Sequence, residues 1–155
     1  MRGYEIETAS PAQTEALGEA LGRATTGGEL FGLTGELGTG KTCLVRGIAR
    51  GLGTDPEAVH SPSFTIATAY RGGRLPLTHV DLYRLETPVG DELFLRDVLY
   101  GDGVTAVEWF DRLSPAAGDE VLLVTLRYAG EDRRAIRLEA HGARYERLLE
   151  VAVKA

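Results

Sequence analysis

The sequence has little cysteine, lysine or side-chain amide: one Cys, two Lys, one Gln and no Asn among 155 residues. The single cysteine, Cys43, excludes an internal disulfide and any zinc cage built on cysteine pairs, and it is typical of a reducing compartment. No run approaches the roughly 18 apolar residues of a membrane-spanning helix. Residues 1–10 carry Arg2, Glu5 and Glu7 where a signal peptide has its apolar core. We therefore expect a soluble, cytoplasmic protein that does not contact a membrane.

The chain also has fewer basic than acidic residues. The 17 basic residues, 15 of them Arg, are outnumbered by 23 acidic residues, which gives a net charge of −6. Proteins that bind nucleic acid by themselves are normally basic, so unaided binding to RNA or DNA is not expected. The hydrophobic fraction of 43% and the charged fraction of 26% are ordinary for globular proteins and exclude wholesale disorder. The length is close to the common size of one domain, and we predict a single domain over residues 1–155.

Apolar periodicity, glycines and prolines divide the chain into strands and helices. Ser10, Pro11 and Gln13 form a helix start with a capping box, and Gly27 and Gly28 mark the end of that helix. Strands are predicted at 4–8, 29–34, 64–70, 75–81, 104–108, 121–128 and 133–140, and further helices at 41–52, 88–100 and from about 143. This order predicts an α/β fold with added antiparallel strands, among them a hairpin near the C-terminus.

One segment matches a phosphate-binding loop. Residues 35–42 read G-E-L-G-T-G-K-T, the pattern G-x-x-x-x-G-K-[ST], between a predicted strand and a predicted helix. Glycines let successive backbone N–H groups wrap a phosphate at the positive end of the helix. Lys41 would place its ammonium group on the outer phosphates, and the Thr42 hydroxyl would reach a magnesium ion. The predicted contacts are Gly35, Gly38, Thr39, Gly40, Lys41 and Thr42. We therefore predict triphosphate binding and a P-loop NTPase-like mixed β-sheet flanked by helices.

The absence of asparagine from the chain helps to predict which nucleotide base it binds. Ras-type GTPases read guanine through an N-K-x-D segment, which a chain without Asn cannot contain. This favours ATP, although guanine pockets that use backbone contacts remain an alternative.

Two carboxylates follow apolar strands and are candidates for the acidic group near the metal. Asp81 ends the strand 77–81 and Glu108 ends the strand 104–108, and ligands of open α/β sheets bind at such strand ends. Strand position alone does not choose between them, and each alone could be a solvated carboxylate. The apolar run 104–107 is typical of a central strand beside the phosphate loop, so we predict that Glu108 is the acidic metal ligand and that Asp81 supports hydrolysis. Arg84 could neutralise phosphate charge or lie on the surface. His79 is expected to point into or across the sheet and not to bind a metal.

Together these segments resemble the bacterial TsaE (YjeE) family, small P-loop ATPases needed for threonylcarbamoyladenosine modification of tRNA. The resemblance covers about residues 10–113. It rests on the phosphate loop, Arg46-Gly47, S-P-S-F at 61–64, H-V-D-L-Y-R-L at 79–85 and V-E-W at 107–109. Cys43 and Ser63 depart from it, because the family usually has Thr at both positions.

The resemblance implies a role for each matching position. Thr42 and Glu108 would be the metal ligands, with Asp81 as a further candidate ligand that would act near the metal or the attacking water. Ser10 and Thr14 would approach the adenine. The residues 61–64 would form a switch-like loop. The expected catalytic residues are then Asp81, Lys41 and Glu108, and the expected nucleotide contacts beyond the loop are Ser10, Thr14, Cys43, Arg84 and Trp109.

The resemblance also implies cofactors and partners. The cofactors are ATP and Mg²⁺. The partners are TsaD, which transfers the threonylcarbamoyl group, and TsaB, and the ATPase would be weak without them. An acidic chain agrees with an arrangement in which tRNA is met only through that complex.

Two other functions fit the phosphate loop. A small-molecule kinase needs an arginine-rich lid, which Arg71 and Arg74 beside the Gly72-Gly73 turn could provide. A nucleotide-dependent binding module with negligible turnover would differ from an ATPase only in whether hydrolysis is coupled to partner release.

Overall fold

The computed structural model describes residues 2–36, 38–59, 67–82, 102–110 and 120–154. Within these ranges the strands are β1 (Arg2–Thr8), β2 (Leu30–Gly35), β3 (Ala67–Tyr70), β4 (Leu77–Asp81), β5 (Val104–Glu108), β6 (Val121–Tyr128) and β7 (Arg134–His141). The helices are α1 (Pro11–Arg23), α2 (Lys41–Leu52) and α3 (Ala143–Lys154), with a short 3₁₀ helix at Pro56–Ala58. No helix of these ranges is both long and apolar enough to cross a bilayer.

The seven strands form one mixed sheet in the order β1-β7-β6-β2-β5-β4-β3. The four central strands β6, β2, β5 and β4 are parallel, whereas β7, β1 and β3 run antiparallel to their neighbours. Parallel strands end at the same edge of a sheet, which is where open α/β sheets bind ligands. This edge therefore brings together the loop after β2, Glu108 at the end of β5 and Asp81 at the end of β4.

The two innermost strands, β2 and β5, are buried on both faces, in keeping with their nearly continuous apolar sequences. Phe31 and Leu33 of β2 belong to the larger hydrophobic cluster, which also contains buried residues of α1, α2 and α3. Leu30 and Val107 belong to a smaller cluster. The strand that leads into the phosphate loop is therefore held in the core by packing on both of its faces.

Helices α1 and α2 pack so closely that glycine is required at their contact. A Cβ atom on Gly18 would lie 2.3 Å from a backbone oxygen of α2, and one on Gly47 would lie 2.1 Å from a backbone oxygen of α1. Gly22 and Gly51 make equally close contacts further along the two helices. Alanine at these positions would push the helices apart. The contact holds the start of α1 beside the start of α2, where Cys43 Sγ donates a hydrogen bond to the carbonyl oxygen of Pro11 at 3.3 Å.

The predicted fold class is confirmed, and α2, β5 and β6 have the predicted bounds. Helix α1 ends at Arg23 and not near Gly27 as predicted. Just past its end, the Thr25 backbone N–H and hydroxyl both donate to the carbonyl oxygen of Gly22, at 3.2 and 2.7 Å, and close a turn that does not continue the helix. The Arg74 guanidinium donates to the carbonyl oxygen of Gly22 at 3.1 Å and to that of Thr25 at 2.8 Å. The predicted helix 88–100 and the first residues of the predicted strand 64–70 lie outside the described residues.

Candidate functional site

The glycine-rich loop lies between the end of β2 and the start of α2. Gly35, Gly38 and Gly40 have φ angles of 143°, 81° and 103°, values that side chains disfavour. Gly35 is also needed for space, because a Cβ atom there would lie 2.5 Å from the carbonyl oxygen of Leu126. A helix N-terminus presents free N–H groups and positive partial charge. The loop therefore has the backbone of an anion site at the start of α2.

Lys41 is the first residue of α2 and is 4% exposed. Its Nζ donates hydrogen bonds to the carbonyl oxygens of Gly35 at 2.7 Å and Glu36 at 2.8 Å. Nζ also lies 4.3 Å from the centroid of the Trp109 ring, within the range of a cation–π interaction. Trp109 has a φ angle of 59°, an uncommon value for a residue other than glycine. The loop and the indole ring thus hold a buried cation where a phosphate would bind.

Glu108 is the carboxylate that contacts the phosphate loop. The Thr42 hydroxyl lies 3.1 Å from Oε1 and 2.9 Å from Oε2 of Glu108, and Glu108 is 3% exposed. His79 Nε2 lies 2.5 Å from Oε2. The Thr42 hydroxyl donates to the carboxylate, and His79 Nε2 is a further hydrogen-bond partner of the same group. Glu108 is therefore held in one orientation beside Thr42.

His79 is the residue of this cluster to which sequence reasoning gave no role in the site. It is fully buried, as expected, but it lies on the same face of β4 as Asp81 and contacts Glu108 of β5. Its other ring nitrogen, Nδ1, is buried without a hydrogen-bond partner among the described residues. The alternation of a strand places residues 79 and 81 on one face, so the sequence did contain the signal.

Asp81 lies at the end of β4, directly beside Glu108 in the parallel register. The two carboxylates therefore reach the same edge of the sheet, as predicted for strand ends. They differ in distance from the loop, because β5 lies between β4 and β2. The sheet order and the contact with Thr42 single out Glu108 as the carboxylate next to the loop.

A cleft of about 150 Å³ adjoins the loop on the side of α1. It is lined by Pro11, Thr14, Gly38, Thr39, Gly40, Cys43, Asp132 and Arg134. Thr14 and Cys43 were predicted to contact the nucleotide, and they line this cleft. Ser10 does not line it, and its hydroxyl caps α1 by accepting a hydrogen bond from the Gln13 backbone N–H at 3.2 Å. Asp132 and Arg134 were missed, since the turn that carries them contains no motif.

The structure does not test several of the predicted nucleotide contacts. Arg84 and the segment 61–64 lie outside the described residues. The nucleotide contacts assigned to Ser10, Thr14, Cys43 and Trp109 stay predictions.

The Cys43 thiol is partly buried in the cleft wall. Burial and then the nearby Glu15 carboxylate raise its pKa, against the opposing effect of Arg46 and Arg134. A raised pKa means that less thiolate is present at neutral pH than in an ordinary cysteine. Since the thiolate is the nucleophile, Cys43 is a poorly reactive thiol near pH 7.

We expect iodoacetamide to alkylate Cys43 slowly at pH 7, with a rate that rises mainly above the ordinary thiol pKa of about 8.5. ATP with Mg²⁺ should slow the reaction further, because Cys43 lines the cleft. Mass spectrometry of timed samples between pH 6 and 10 measures both effects. The control is the same chain unfolded in urea, and equal rates for the folded and unfolded chains at pH 7 would contradict the prediction.

The structure has the arrangement of the P-loop class of nucleotide-binding proteins. A parallel strand leads into a glycine loop, a Lys-Thr pair begins the next helix, and the adjacent parallel strand ends in a carboxylate that contacts the threonine. Comparisons with known proteins identify the family within this class. A family model described as "Threonylcarbamoyl adenosine biosynthesis protein TsaE" matches residues 8–136. The chain belongs to the TsaE family, which confirms the resemblance found in the sequence.

Individual relatives agree with this assignment. The tRNA threonylcarbamoyladenosine biosynthesis protein TsaE of Bacillus subtilis is 37% identical over 150 residues, which is 97% of this chain and 94% of the relative. The protein of the same name from Synechocystis is 45% identical over 104 residues, covering 64% of this chain and 66% of the relative. The crystal structure of Bacillus subtilis YdiB matches with a TM-score of 0.79 and 33% identity, over 99% of this chain and 95% of that one.

Proposed function

We propose that this chain binds ATP with Mg²⁺ and hydrolyses it in support of threonylcarbamoyladenosine modification of tRNA. It would act on the TsaD–TsaB complex that transfers the threonylcarbamoyl group, and use ATP to reset or regulate that complex. The observation that carries the proposal is the contact of Thr42 with the buried carboxylate of Glu108, beside a phosphate loop. Family membership supplies the pathway.

The loop and Lys41 would bind the outer phosphates. Lys41 as a residue is only 4% exposed, so the attraction of its side chain to a phosphate is weakly screened by water. Its hydrogen bonds to the carbonyl oxygens of Gly35 and Glu36 hold it over the loop. The Trp109 ring supports the same group from another direction. The site is thus organised for anion binding by groups that are already in place.

The donor set fits Mg²⁺, a hard cation that prefers oxygen ligands. Thr42 and Glu108 offer a hydroxyl and a carboxylate whose oxygens lie within 3.1 Å of each other. A magnesium ion bound there would neutralise charge on the outer phosphates. His79 would keep the Glu108 carboxylate in its orientation through the Nε2 contact.

Asp81 would support hydrolysis by orienting a water near the outer phosphate. It lies at the same sheet edge as Glu108 but one strand further from the phosphate loop. That separation leaves room for a role distinct from metal binding. A positioned carboxylate that accepts a proton from the attacking water is an ordinary general base.

The acidic charge and the family together favour protein partners over direct tRNA binding. A net charge of −6 opposes the phosphate backbone of RNA, so tRNA would be met through TsaD and TsaB. We also propose a cytoplasmic location, in accord with the single cysteine and with a role in tRNA modification.

The kinase alternative loses its structural argument. The turn with Arg74 was a candidate lid, but the Arg74 backbone N–H donates to the carbonyl oxygen of Leu52, the last residue of α2. Lys41 is at the opposite end of that helix. Arg74 therefore caps helices far from the phosphate loop and does not cover it.

ATP turnover of the purified chain, with and without TsaD and TsaB, tests the proposal. We expect slow release of phosphate by the chain alone and an increase of about tenfold or more with the partners, corresponding to about 1.4 kcal/mol in the barrier. GTP in parallel should bind more weakly and turn over more slowly. Negligible turnover with partners, at full ATP occupancy, would favour a binding module, and phosphorylation of a metabolite would favour a kinase.

A further inference from the structure

Trp109 has a backbone conformation that its surroundings must hold in place. Its φ angle of 59° lies in the left-handed region, and among the residues that the structure describes it is the only one besides glycine with a positive φ. A large side chain keeps such a conformation only where neighbouring contacts fix it, because extended and right-handed conformations are lower in energy. The residues on either side of Trp109 should therefore be anchored.

Both neighbours are anchored, each to a different strand. On one side, the carbonyl oxygen of Glu108 accepts a hydrogen bond at 3.2 Å from the backbone N–H of Leu82, which follows β4. On the other side, the Phe110 ring lies directly on Gly32 of β2. A Cβ atom at position 32 would lie 2.6, 2.7 and 3.0 Å from three carbon atoms of that ring. The chain is thus held at Trp109 by the two strands that flank β5.

Gly32 leaves the space that the Phe110 ring occupies. It lies within β2, pairs with Val107 of β5 and is not among the glycines with a positive φ, so its backbone conformation does not require glycine. Glycine weakens a strand and is typical of positions where another group approaches the backbone closely. Here that group is the Phe110 ring, because any other residue would place a Cβ atom in contact too close to persist.

The anchoring of Phe110 determines where the indole ring lies. Trp109 and Phe110 both pack against the smaller hydrophobic cluster, and the Trp109 ring also faces Lys41, whose Nζ lies 4.3 Å from its centroid. A change of φ at Trp109 would turn its side chain relative to β5 and move the ring off the ammonium group. The contact with Lys41 therefore depends on the conformation that Phe110 helps to fix.

We propose that Phe110 and Gly32 are a positioning pair for the phosphate site. The Phe110 ring, seated on Gly32, holds Trp109 in the left-handed conformation that places the indole ring over Lys41. The pair thereby influences ATP affinity through Trp109 and Lys41. This inference rests on the proposed binding of ATP, and it adds two residues that lie directly outside the motifs found in the sequence.

Intrinsic fluorescence and calorimetric titration with ATP and Mg²⁺ test the inference, because Trp109 is the only tryptophan of the chain. Phe110→Ala removes the ring, and the emission of Trp109 should move to longer wavelength as the indole ring leaves its apolar contacts. ATP affinity should fall about fivefold, the effect of one cation–π contact. Gly32→Ala should produce both effects with Phe110 still present, because its Cβ atom displaces the ring.

Two double variants distinguish positioning from a general loss of structure. When Trp109 is already alanine, Phe110→Ala should change ATP affinity by less than about twofold, because its effect passes through the indole ring. When Phe110 is already alanine, Gly32→Ala should have no further effect on ATP affinity, because the added methyl group then has space.

Val121→Ala is the matched control, because Val121 belongs to the same hydrophobic cluster but begins β6, at the opposite end of the parallel strands. It should lower the midpoint of thermal unfolding without changing the emission wavelength or ATP affinity. Unchanged emission or unchanged ATP affinity in Phe110→Ala, or an equal loss of affinity with and without Trp109, would overturn the inference while the proposed function stands. Failure of the unmodified chain to bind ATP would overturn the proposed function instead.

Discussion

Replacing Lys41 with alanine should weaken ATP binding by at least about 100-fold. Lys41 is nearly buried and its ammonium group lies over the loop, and each hydrogen bond between a charged donor and a phosphate contributes about 1.5–3 kcal/mol. Loss of two such bonds accounts for the factor of 100. Calorimetric titration with ATP and Mg²⁺ measures the effect directly.

Two further variants make this result interpretable. Lys41→Met keeps most of the side-chain volume over the Trp109 ring and should bind ATP as poorly as the alanine variant. Arg50→Ala removes a positive charge from the other end of α2, where Arg50 pairs with Glu15 at 3.1 Å, and should leave ATP affinity nearly unchanged. ATP affinity retained in Lys41→Met would show that the loop does not bind the outer phosphates.

Glu108→Gln and Asp81→Asn should affect different quantities. Glu108 contacts Thr42 directly, so its neutral amide should remove most of the Mg²⁺ dependence of ATP affinity, an effect of about tenfold or more. Asp81 is one strand further from the loop, so Asp81→Asn should lower turnover by roughly 100-fold or more and change ATP affinity little. Titrations with and without Mg²⁺, together with phosphate release, measure both quantities for both variants.

Glu139→Gln is a suitable control for these two variants. Glu139 lies on β7 in an ion pair with Arg137, and its neutralisation should change neither Mg²⁺ dependence nor turnover. The two roles are reversed if Asp81→Asn loses Mg²⁺ dependence while Glu108→Gln binds ATP normally and only turns over slowly.

The choice between these carboxylates marks a limit of sequence reasoning. Strand ends were predictable, because β5 is a short apolar run that stops at a charged residue. The apolar run 104–107 favoured β5 as the strand beside the phosphate loop, but the full sheet order depends on contacts between segments distant in sequence. The order places β5 between β2 and β4 and thereby puts Glu108, and not Asp81, beside Thr42.

The other features that sequence analysis missed have the same origin. The phosphate loop, α2 and the start of α1 follow from local signals, namely glycines, a capping serine and helical spacing. Arg74 contacts Thr25, two residues past the end of α1, from 49 residues away along the chain, and Arg134 contacts Thr39 over 95 residues. Arginine side chains that bind distant carbonyls leave no local pattern, so the cleft wall at Asp132 required the structure.

Glycine at the contact between α1 and α2 lowers the intrinsic stability of each helix, but it allows the two helices to pack closely beside the site. A glycine inside a helix costs about 1 kcal/mol relative to alanine, and these helices, with 13 and 12 residues, are too short to persist alone in water. Each helix is therefore stabilised by its packing in the core, which includes the close contact with the other helix, and this contact places the loop end of α2 beside the Thr14 side of the cleft. Alanine at Gly18 or Gly47 would make each helix intrinsically more stable and the pair less able to close. In this chain, a more helical variant would be a poorer nucleotide binder.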